Sequence, residues 1–283
     1  MIDLHTHSTA SDGTYSPREL VLLAIKEGLS ALALTDHDTI DGLKEAYETA
    51  KEVGLPFLCG VEISVKFNGP GHFHLLGYFL TPEISGLKEM LRKLKEARSR
   101  RNELMIEKLQ ALGVEITLEE LKNIASGEIG RPHIAKLLLE KGVVKTLDEA
   151  FERYLKKGAP AYVPKAFLTP EEAIEEILKN RGIPVMAHPV TLKVDKDFLK
   201  RYLYELKEKG LKGVEVFYTE HSPSFTQFLF DLVKKLDLLI TGGSDFHGAN
   251  KPDIKLGRGL GNLNIPFDCY KNLKEALENQ VIP

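Results

Sequence analysis

The feature that most constrains the fold is an alternation of short apolar runs with amphipathic runs in the first third of the chain. Ser16 and Pro17 begin an amphipathic helix, with Ser16 as its N-cap. A short apolar run follows at 31–34, then a second helical pattern at 44–53 and a second apolar run at 56–63. Short strands that alternate with helices in this way predict βαβ units and a parallel sheet.

The alternation stops after Leu80, where the chain becomes highly charged and its apolar residues recur at helical spacing. It resumes near Tyr162 with a further series of strands and helices. We therefore predict an α/β domain in two parts with a helical insertion between them, at residues 1–81, 82–161 and 162–283.

Composition excludes several classes of protein. Of the 283 residues, 43% are hydrophobic and 28% are charged, which is typical of a soluble globular chain. Lys and Arg number 38 against 41 Asp and Glu, so the chain lacks the basic balance of a protein that coats nucleic acid. Two cysteines make no disulfide framework, and we expect neither a signal peptide nor a membrane span. These observations predict a cytoplasmic protein.

Histidines and carboxylates stand at or near the ends of the predicted strands. Residues two apart in a strand share a face, so the paired histidines of DLHTH and HFH point the same way. Because the carboxyl ends of parallel strands meet at one mouth of an α/β fold, we expect these side chains to converge. Burying so many polar groups would cost several kcal/mol without strong partners, and divalent metal ions supply such partners. The residues are His5, His7, His37, Glu62, His72, His74, His188, Asp245 and His247.

Six segments of the chain also carry a family resemblance. DLHTHSTASDGT, ALTDHDT, GVEIS, GRPHIA, AHP and GGSDFHG occur in this order. In content and order they resemble the signature segments of the polymerase-and-histidinol-phosphatase (PHP) superfamily. The insertion with GRPHIA is similar to that of the small metal-dependent phosphoesterases, the branch of 3′,5′-nucleoside bisphosphate phosphatases and 5′-3′ exonucleases. The resemblance implies a distorted (β/α)7 TIM-like barrel with a helical insertion, and a hydrolase acting on phosphoric ester bonds.

The same resemblance implies a set of metal ligands, every position of which is matched in this sequence. One metal would be held by His5, His7, Glu62 and Asp245, a second by Asp12, His37 and His247, and a third by Glu62 with His74 and His188. Three divalent ions and three carboxylates would leave the site with a charge of about +3, which suits a phosphate monoester dianion. We therefore expect two to three divalent ions. Mixed His and carboxylate ligands are compatible with Mn, Fe and Zn and do not distinguish between them.

Three residues outside this set are candidate catalytic or substrate-binding groups. Arg131 and His133 lie in GRPHIA near a helix start, and both guanidinium groups and helix N-termini favour phosphate. Together with the resemblance, this predicts that both contact a substrate phosphate and that the insertion folds over the barrel mouth as a lid. His221, in FYTEHSP, is either a loop histidine or a group on the substrate side.

Other charged residues have two interpretations. Asp3 and Asp36 stand beside predicted ligands and could orient imidazole rings, although a capped turn after the strand is an equal alternative for Asp36 and Asp38. Arg98, Arg100 and Arg101 are predicted to form a solvated helix face rather than a nucleic-acid patch.

These residues predict a metal-dependent phosphoesterase in which a hydroxide that bridges the metal ions attacks phosphorus. The expected substrate is a small phosphorylated nucleotide: a 3′,5′-nucleoside bisphosphate or the 5′ end of a short single-stranded oligonucleotide. Histidinol phosphate is the alternative substrate. A non-catalytic metal-binding accessory module and a metal amidohydrolase are alternatives of other classes. The intact ligand set argues against the first, and the lack of an obvious lysine at the strand ends argues against the second. No membrane partner is expected, and the oligomeric state stays open.

Overall fold

The computed structural model describes residues 1–124, 130–164 and 167–281. The chain divides into two compact units, of which the second is Leu91–Ala166 and the first is the remainder. The second unit overlaps the predicted insertion but begins later than residue 82, inside a long helix.

One mixed sheet of seven strands, in the order β1 to β7, forms the centre of the first unit. The strands are β1 (Ile2–Asp3), β2 (Ala31–Leu34), β3 (Phe57–Val65), β4 (Phe73–Phe79), β5 (Ile183–Met186), β6 (Gly213–Tyr218) and β7 (Leu239–Gly243). The segment after β1 closes the sheet onto β7, because Leu4 N donates to Gly242 O (3.2 Å) and Asp245 N donates to His5 O (2.9 Å). The sheet is therefore a nearly closed barrel, which confirms the predicted fold class.

Helices cover the barrel and make up most of the second unit. In the first unit they are α1 (Pro17–Lys26), α2 (Leu43–Val53), α7 (Pro170–Lys179), α8 (Lys196–Glu208), α9 (Pro223–Lys235) and α10 (Phe267–Val281). The others are α3 (Ser85–Ala111), α4 (Leu118–Ile124), α5 (Arg131–Glu140) and α6 (Leu147–Ala150), with a π-helix at Phe151–Leu155. The predicted start of α1 is confirmed, because the Ser16 hydroxyl accepts from Glu19 N and the Glu19 carboxylate accepts from Ser16 N. None of the helices in the described ranges combines the length and apolar character that a membrane crossing requires.

The prediction of a parallel sheet is wrong at β4, which pairs antiparallel with both β3 and β5. The other neighbouring strands are parallel. The segment between β3 and β4 is short, and a short connection can join antiparallel strands but not parallel ones. Because β4 runs the opposite way, its first residues lie beside the last residues of β3, with His74 opposite Ser64.

Each unit has its own hydrophobic core. In the first unit, apolar residues of the strands pack against α10, and the largest buried members include Ile2, Leu4, Leu58, Leu76, Tyr78 and Leu273. In the second unit, the helices bury residues that include Met105, Leu109, Leu121, Ile134, Leu138 and Leu155. The apolar spacing noted in the sequence therefore contributes a buried core to each unit.

Candidate metal centre

The barrel brings most of the predicted ligands together at one edge of the sheet. His5 and His7 follow β1, His37 follows β2, and Asp245 and His247 follow β7. Three groups of these side chains have ligand atoms within 4.8 Å of one another. They are His5, His7, Glu62 and Asp245; His7, Asp12, His37 and His247; and His37, Glu62 and His74.

The first group has the spacing of ligands around one ion. Glu62 Oε2 lies 3.2 Å from His5 Nε2 and 3.2 Å from His7 Nε2. Asp245 Oδ1 lies 3.1 Å from His7 Nε2 and 3.7 Å from His5 Nε2. Ligand atoms about 2.0–2.1 Å from a tetrahedral ion stand about 3.3–3.4 Å apart. The four side chains therefore fit a single divalent cation.

Buried atoms that lack hydrogen bonds support the same interpretation. Among the described residues, His5 Nε2, both ring nitrogens of His7, Glu62 Oε2 and Asp245 Oδ1 are buried and make no hydrogen bond. A buried polar atom without a partner costs about 1–3 kcal/mol, and more when it is charged. A cation among these atoms would coordinate them and remove that cost, so this donor set suits a metal.

Glu62 faces different histidines with its two oxygens. Oε2 is also 3.1 Å from His37 Nδ1, whereas Oε1 is 2.7 Å from His74 Nδ1 and 2.8 Å from His188 Nε2. The resemblance grouped His74 and His188 with this carboxylate, and the structure brings His37 to it as well. Glu62 therefore has the geometry of a carboxylate shared between neighbouring ions.

Asp12 supplies the exposed side of the centre. Its Oδ1 is 3.2 Å from His247 Nε2 and 3.7 Å from His7 Nδ1, and the rings of these two histidines stack with centroids 4.0 Å apart. The Asp12 side chain is 53% exposed, whereas that of Glu62 is fully buried. A ligand from solvent would therefore reach the centre most directly on the Asp12 side.

Charge and burial act in opposite directions on the titration of this centre. Burial lowers the pKa of His5 and His7, but the surrounding carboxylates outweigh it. The pKa of His5 is raised well above its usual value, and that of His7 rises to about 9. Burial alone would raise the pKa of Glu62 and Asp245, but the histidines hold both well below their usual values. Near neutral pH, the metal-free centre therefore keeps protons on His5 and His7 beside ionised carboxylates, whereas burial lowers the pKa of His37 to about 3 and leaves that ring neutral.

Metal binding is expected to release protons from the protein. A metal requires neutral imidazole, so it must displace the protons that His5 and His7 hold at pH 7. Because more proton must be displaced at lower pH, affinity should fall as pH falls from about 9, the pKa of His7. Titration calorimetry in two buffers of different ionisation enthalpy counts the released protons. Identical heats in both buffers at pH 7 would contradict the expectation.

Two of the predicted ligands lie on strained backbone, and a glycine allows β7 to approach the segment after β1. Asp245 has φ +60° and His188 has φ +23°, a region that residues other than glycine seldom adopt. A Cβ on Gly243 would lie 2.1 Å from His5 Cβ, so only glycine lets β7 come this close to the segment that carries His5. The close approach places Asp245 beside the two histidines that follow β1.

Glu215 orients His5, a role that the sequence analysis missed. Its Oε1 is 3.0 Å from His5 Nδ1, its Oε2 accepts a hydrogen bond from His188 N (2.7 Å), and the residue is fully buried. With Nδ1 held by this carboxylate, the Nε2 atom of His5 faces the first group. The available signal was a charged residue in the middle of the apolar strand GVEVF.

Glu215→Gln is expected to weaken metal binding by about 10- to 100-fold, because an outer carboxylate orients a ligand imidazole and raises its basicity. Competition against a fluorescent chelator measures the affinity. Glu220→Gln is the control, since Glu220 is exposed on the loop that follows β6. Equal metal affinities in the two variants would show that Glu215 does not affect metal binding.

Asp3 and Asp36 do not orient imidazoles, so that prediction is wrong. Among the described residues, Asp3 accepts hydrogen bonds from Ser244, from Gly257 N and from the backbone N of His5. Asp36 accepts from Ser8 N (2.7 Å) and from serine hydroxyls of the same loop. Both carboxylates fix the loops that carry predicted ligands.

Arg131 and His133 begin α5 in the second unit. Arg131 Nη1 donates to Leu155 O (3.3 Å), and the guanidinium lies over the Tyr162 ring, 5.7 Å from its centroid. His133 Nδ1 accepts from Gly130 N (3.1 Å), so the neutral ring carries its proton on Nε2. Both side chains therefore present hydrogen-bond donors.

His221, after β6, is nearly buried and has one unsatisfied nitrogen. Its Nδ1 donates to Val216 O (2.9 Å), which leaves Nε2 as an acceptor, and Nε2 makes no hydrogen bond within the described structure. Burial lowers the pKa of His221, so the ring is neutral near pH 7. The neighbouring Tyr218 donates to Asp245 Oδ2 (3.2 Å), which places His221 close to the centre.

The predicted solvated face at Arg98, Arg100 and Arg101 is wrong for two of the three. Arg98 and Arg101 are each 6% exposed. Only Arg100 is exposed, and its Nη1 donates to Glu103 Oε2 (3.0 Å). The spacing correctly placed these arginines on a helix but did not show that part of this face is covered.

An α/β barrel whose strand ends hold clustered, buried histidines and carboxylates defines a class of metal-dependent hydrolases. Comparison with known proteins gives the family. The PHP domain model matches residues 3–161. The chain is 37% identical over 245 residues to a 5′-3′ exoribonuclease of Haemophilus influenzae. The alignment covers 87% of this chain and 89% of that protein. The chain is 32% identical over 284 residues to a 3′,5′-nucleoside bisphosphate phosphatase of Chromobacterium violaceum. That alignment covers 99% of this chain and 98% of the relative.

A solved structure is also similar to this chain over nearly its whole length. A protein from Bifidobacterium adolescentis, described as a candidate metal-dependent phosphoesterase, superposes with a TM-score of 0.75 and 32% identity, over 97% of this chain and 96% of that one. The chain therefore belongs to the PHP domain family, and it is a metal-dependent phosphoesterase, a hydrolase of phosphoric ester bonds.

Proposed function

We propose that this enzyme removes a phosphate group from a small nucleotide, either a 3′,5′-nucleoside bisphosphate or the 5′ end of a short single-stranded oligonucleotide. The observation that carries the proposal is the group of buried donor atoms around Glu62 that lack hydrogen bonds. Support for a nucleotide comes from the activities for which the two relatives are named, and these relatives align over 87% and 99% of this chain.

The metal complement is part of the proposal. We infer two to three divalent ions, of Mn, Fe or Zn, held by the nine predicted ligands. When bound, such ions lower the pKa of a water and stabilise charge on phosphate oxygens. The buried carboxylates match this role, because a cation would take the place of the hydrogen bonds that Glu62 Oε2 and Asp245 Oδ1 lack.

The protein's own residues then bind and orient the substrate. Arg131 and the Nε2–H of His133 donate hydrogen bonds to phosphate oxygens, and a guanidinium can do so with two parallel bonds. The Nε2 of His221 accepts a hydrogen bond from a substrate hydroxyl, because its Nδ1–H is committed to Val216 O. A neutral, buried His221 binds substrate and does not supply a proton at pH 7.

The charge of the protein favours a small substrate over a long duplex. Long duplexes are bound through many basic contacts, whereas this chain has a net charge of −3. A terminal phosphate needs only a local cationic site. The same chemistry would accept histidinol phosphate, which therefore remains the competing substrate.

The proposal is tested by phosphate release from the metal-loaded enzyme. We expect kcat/KM for adenosine 3′,5′-bisphosphate to exceed that for histidinol phosphate by at least about tenfold, since a second phosphate adds a charge-assisted contact of more than about 1.4 kcal/mol. Short 5′-phosphorylated RNA and a set of amides complete the screen. A higher kcat/KM for histidinol phosphate would show that histidinol phosphate is the preferred substrate. Hydrolysis of amides alone would show that this member of the family works as an amidohydrolase.

A further inference from the structure

The two oxygens of the Asp245 carboxylate have different surroundings. Oδ1 is buried, makes no hydrogen bond within the described structure and lies 3.1 Å from His7 Nε2. Oδ2 accepts hydrogen bonds from the Tyr218 hydroxyl (3.2 Å) and from Lys251 Nζ (2.7 Å). An ionised carboxylate has about four lone-pair sites on its two oxygens, so two donors fill Oδ2. The carboxylate therefore offers one oxygen to a cation and keeps the other for protein donors.

Lys251 pairs with this buried carboxylate although exposed carboxylates are close to it. Its side chain is 39% exposed, whereas that of Asp245 is 7% exposed. Glu220 and Asp253 line the same cavity as Lys251, but in the part of the chain that the structure describes neither forms an ion pair with it. Surface ion pairs contribute about 0–1 kcal/mol, whereas a buried carboxylate is costly to leave unpaired. The fold therefore directs this ammonium group to the metal centre.

The loop that carries Asp245 also places Lys251. A short 3-10 helix in this loop, Gly248–Asn250, ends directly before Lys251. The helix is tied to the loop after β1, because Asn250 Nδ2 donates to Asp12 O (2.7 Å). Asp12 is itself a predicted ligand, and Asp245 has the strained φ of +60°. Lys251 is therefore fixed between the two loops that supply predicted ligands.

We propose that Lys251 is a positioning residue for the metal centre. Together with Tyr218 it occupies Oδ2 of Asp245, turns Oδ1 toward the histidines that follow β1, and makes Asp245 a ligand through one oxygen. Lys251 acts through Asp245 and needs no contact with the substrate. The inference rests on the metal complement of the proposed function. Without the lysine, the carboxylate would be free to rotate and to offer both oxygens.

The metal affinity of Lys251→Met tests the proposal, measured by competition of the full chain against a fluorescent chelator. The variant loses a hydrogen-bond donor and a positive charge. If the charge alone mattered, removal of a nearby cation would strengthen the binding of a metal cation. If Lys251 positions Asp245, metal binding should instead weaken by about 10- to 100-fold, the usual cost of losing an outer partner of a ligand.

Two further variants serve as controls for this measurement. Lys251→Arg keeps both the charge and the donors, so it should restore most of the affinity. Lys255→Met removes an exposed lysine of the same loop, whose Nζ donates to Pro252 O (2.9 Å), and should bind metal as the wild type does. Tyr218→Phe removes the other donor to Oδ2 and should also weaken binding, which gives a second test should Lys251→Met not fold.

The absorption spectrum of the Co²⁺-loaded protein distinguishes positioning from support of the fold. Coordination by both oxygens raises the coordination number, and the visible bands of Co²⁺ weaken as that number rises. We expect weaker bands per bound ion in Lys251→Met and wild-type bands in Lys251→Arg. An unchanged spectrum per ion, or metal binding as tight as that of the wild type, would overturn the proposal. A wild type that binds no metal would instead contradict the metal complement of the proposed function.

Discussion

Glu62→Gln is expected to remove metal from two neighbouring groups at once and to lower kcat by about 10³-fold or more. One oxygen of Glu62 lies among His5, His7 and His37, and the other faces His74 and His188. The amide keeps the shape of the side chain but loses the charge. Metal ions contribute several kcal/mol to stabilising the transition state, at about 1.4 kcal/mol for each factor of ten in rate. Elemental analysis and phosphate release measure the two effects.

Asp12→Asn is the matched control for this variant. Among the described residues, Asp12 lies within 4 Å of His7 and His247 of its group, and it is on the exposed side of the centre. The substitution should therefore reduce the occupancy of one ion and leave the ion between His5 and Asp245 in place. A Glu62→Gln protein with full metal content and full activity would show that Glu62 is not a shared ligand.

Arg131→Ala is expected to lower kcat/KM by about 10- to 150-fold with metal content unchanged. The substitution removes one charge-assisted contact to phosphate, which contributes about 1.5–3 kcal/mol to binding the transition state. Lys136→Ala on the same helix is the control, because Lys136 is exposed and lies 3.7 Å from Glu140. If Arg131→Ala hydrolyses every accepted phosphate ester as the wild type does, Arg131 does not contact the substrate.

Much of the candidate centre was predictable because its signals are local. The i, i+2 spacing in DLHTH and SDFH fixes which side chains share a face, and the βαβ pattern indicates where strands end. The structure brings His5, His7, Glu62 and Asp245 within 4.8 Å of one another, as the resemblance implied. Helix starts were equally predictable, since a capping box involves residues only three apart.

Features that depend on distant neighbours were not predictable. Glu215 reaches His5 across the barrel, although the two residues are separated by 210 positions in the chain. The direction of β4 depends on which strands pair, and its apolar pattern is the same for either direction. The burial of Arg101 depends on what covers α3, about which helical periodicity says nothing.

Residue type and short-range spacing by themselves indicated an α/β fold with an inserted helical segment and the gathering of histidines and carboxylates at strand ends, and the resemblance to the PHP superfamily implied the barrel and the groups of candidate ligands. Only the tertiary structure decided which histidines share an oxygen of Glu62, that Glu215 orients His5, and that Arg98 and Arg101 are buried. The physical reason is that coordination, hydrogen bonding and charge burial depend on distances of a few ångströms between atoms. Those distances are set by strand pairing and helix packing over the whole unit, not by neighbours in the chain.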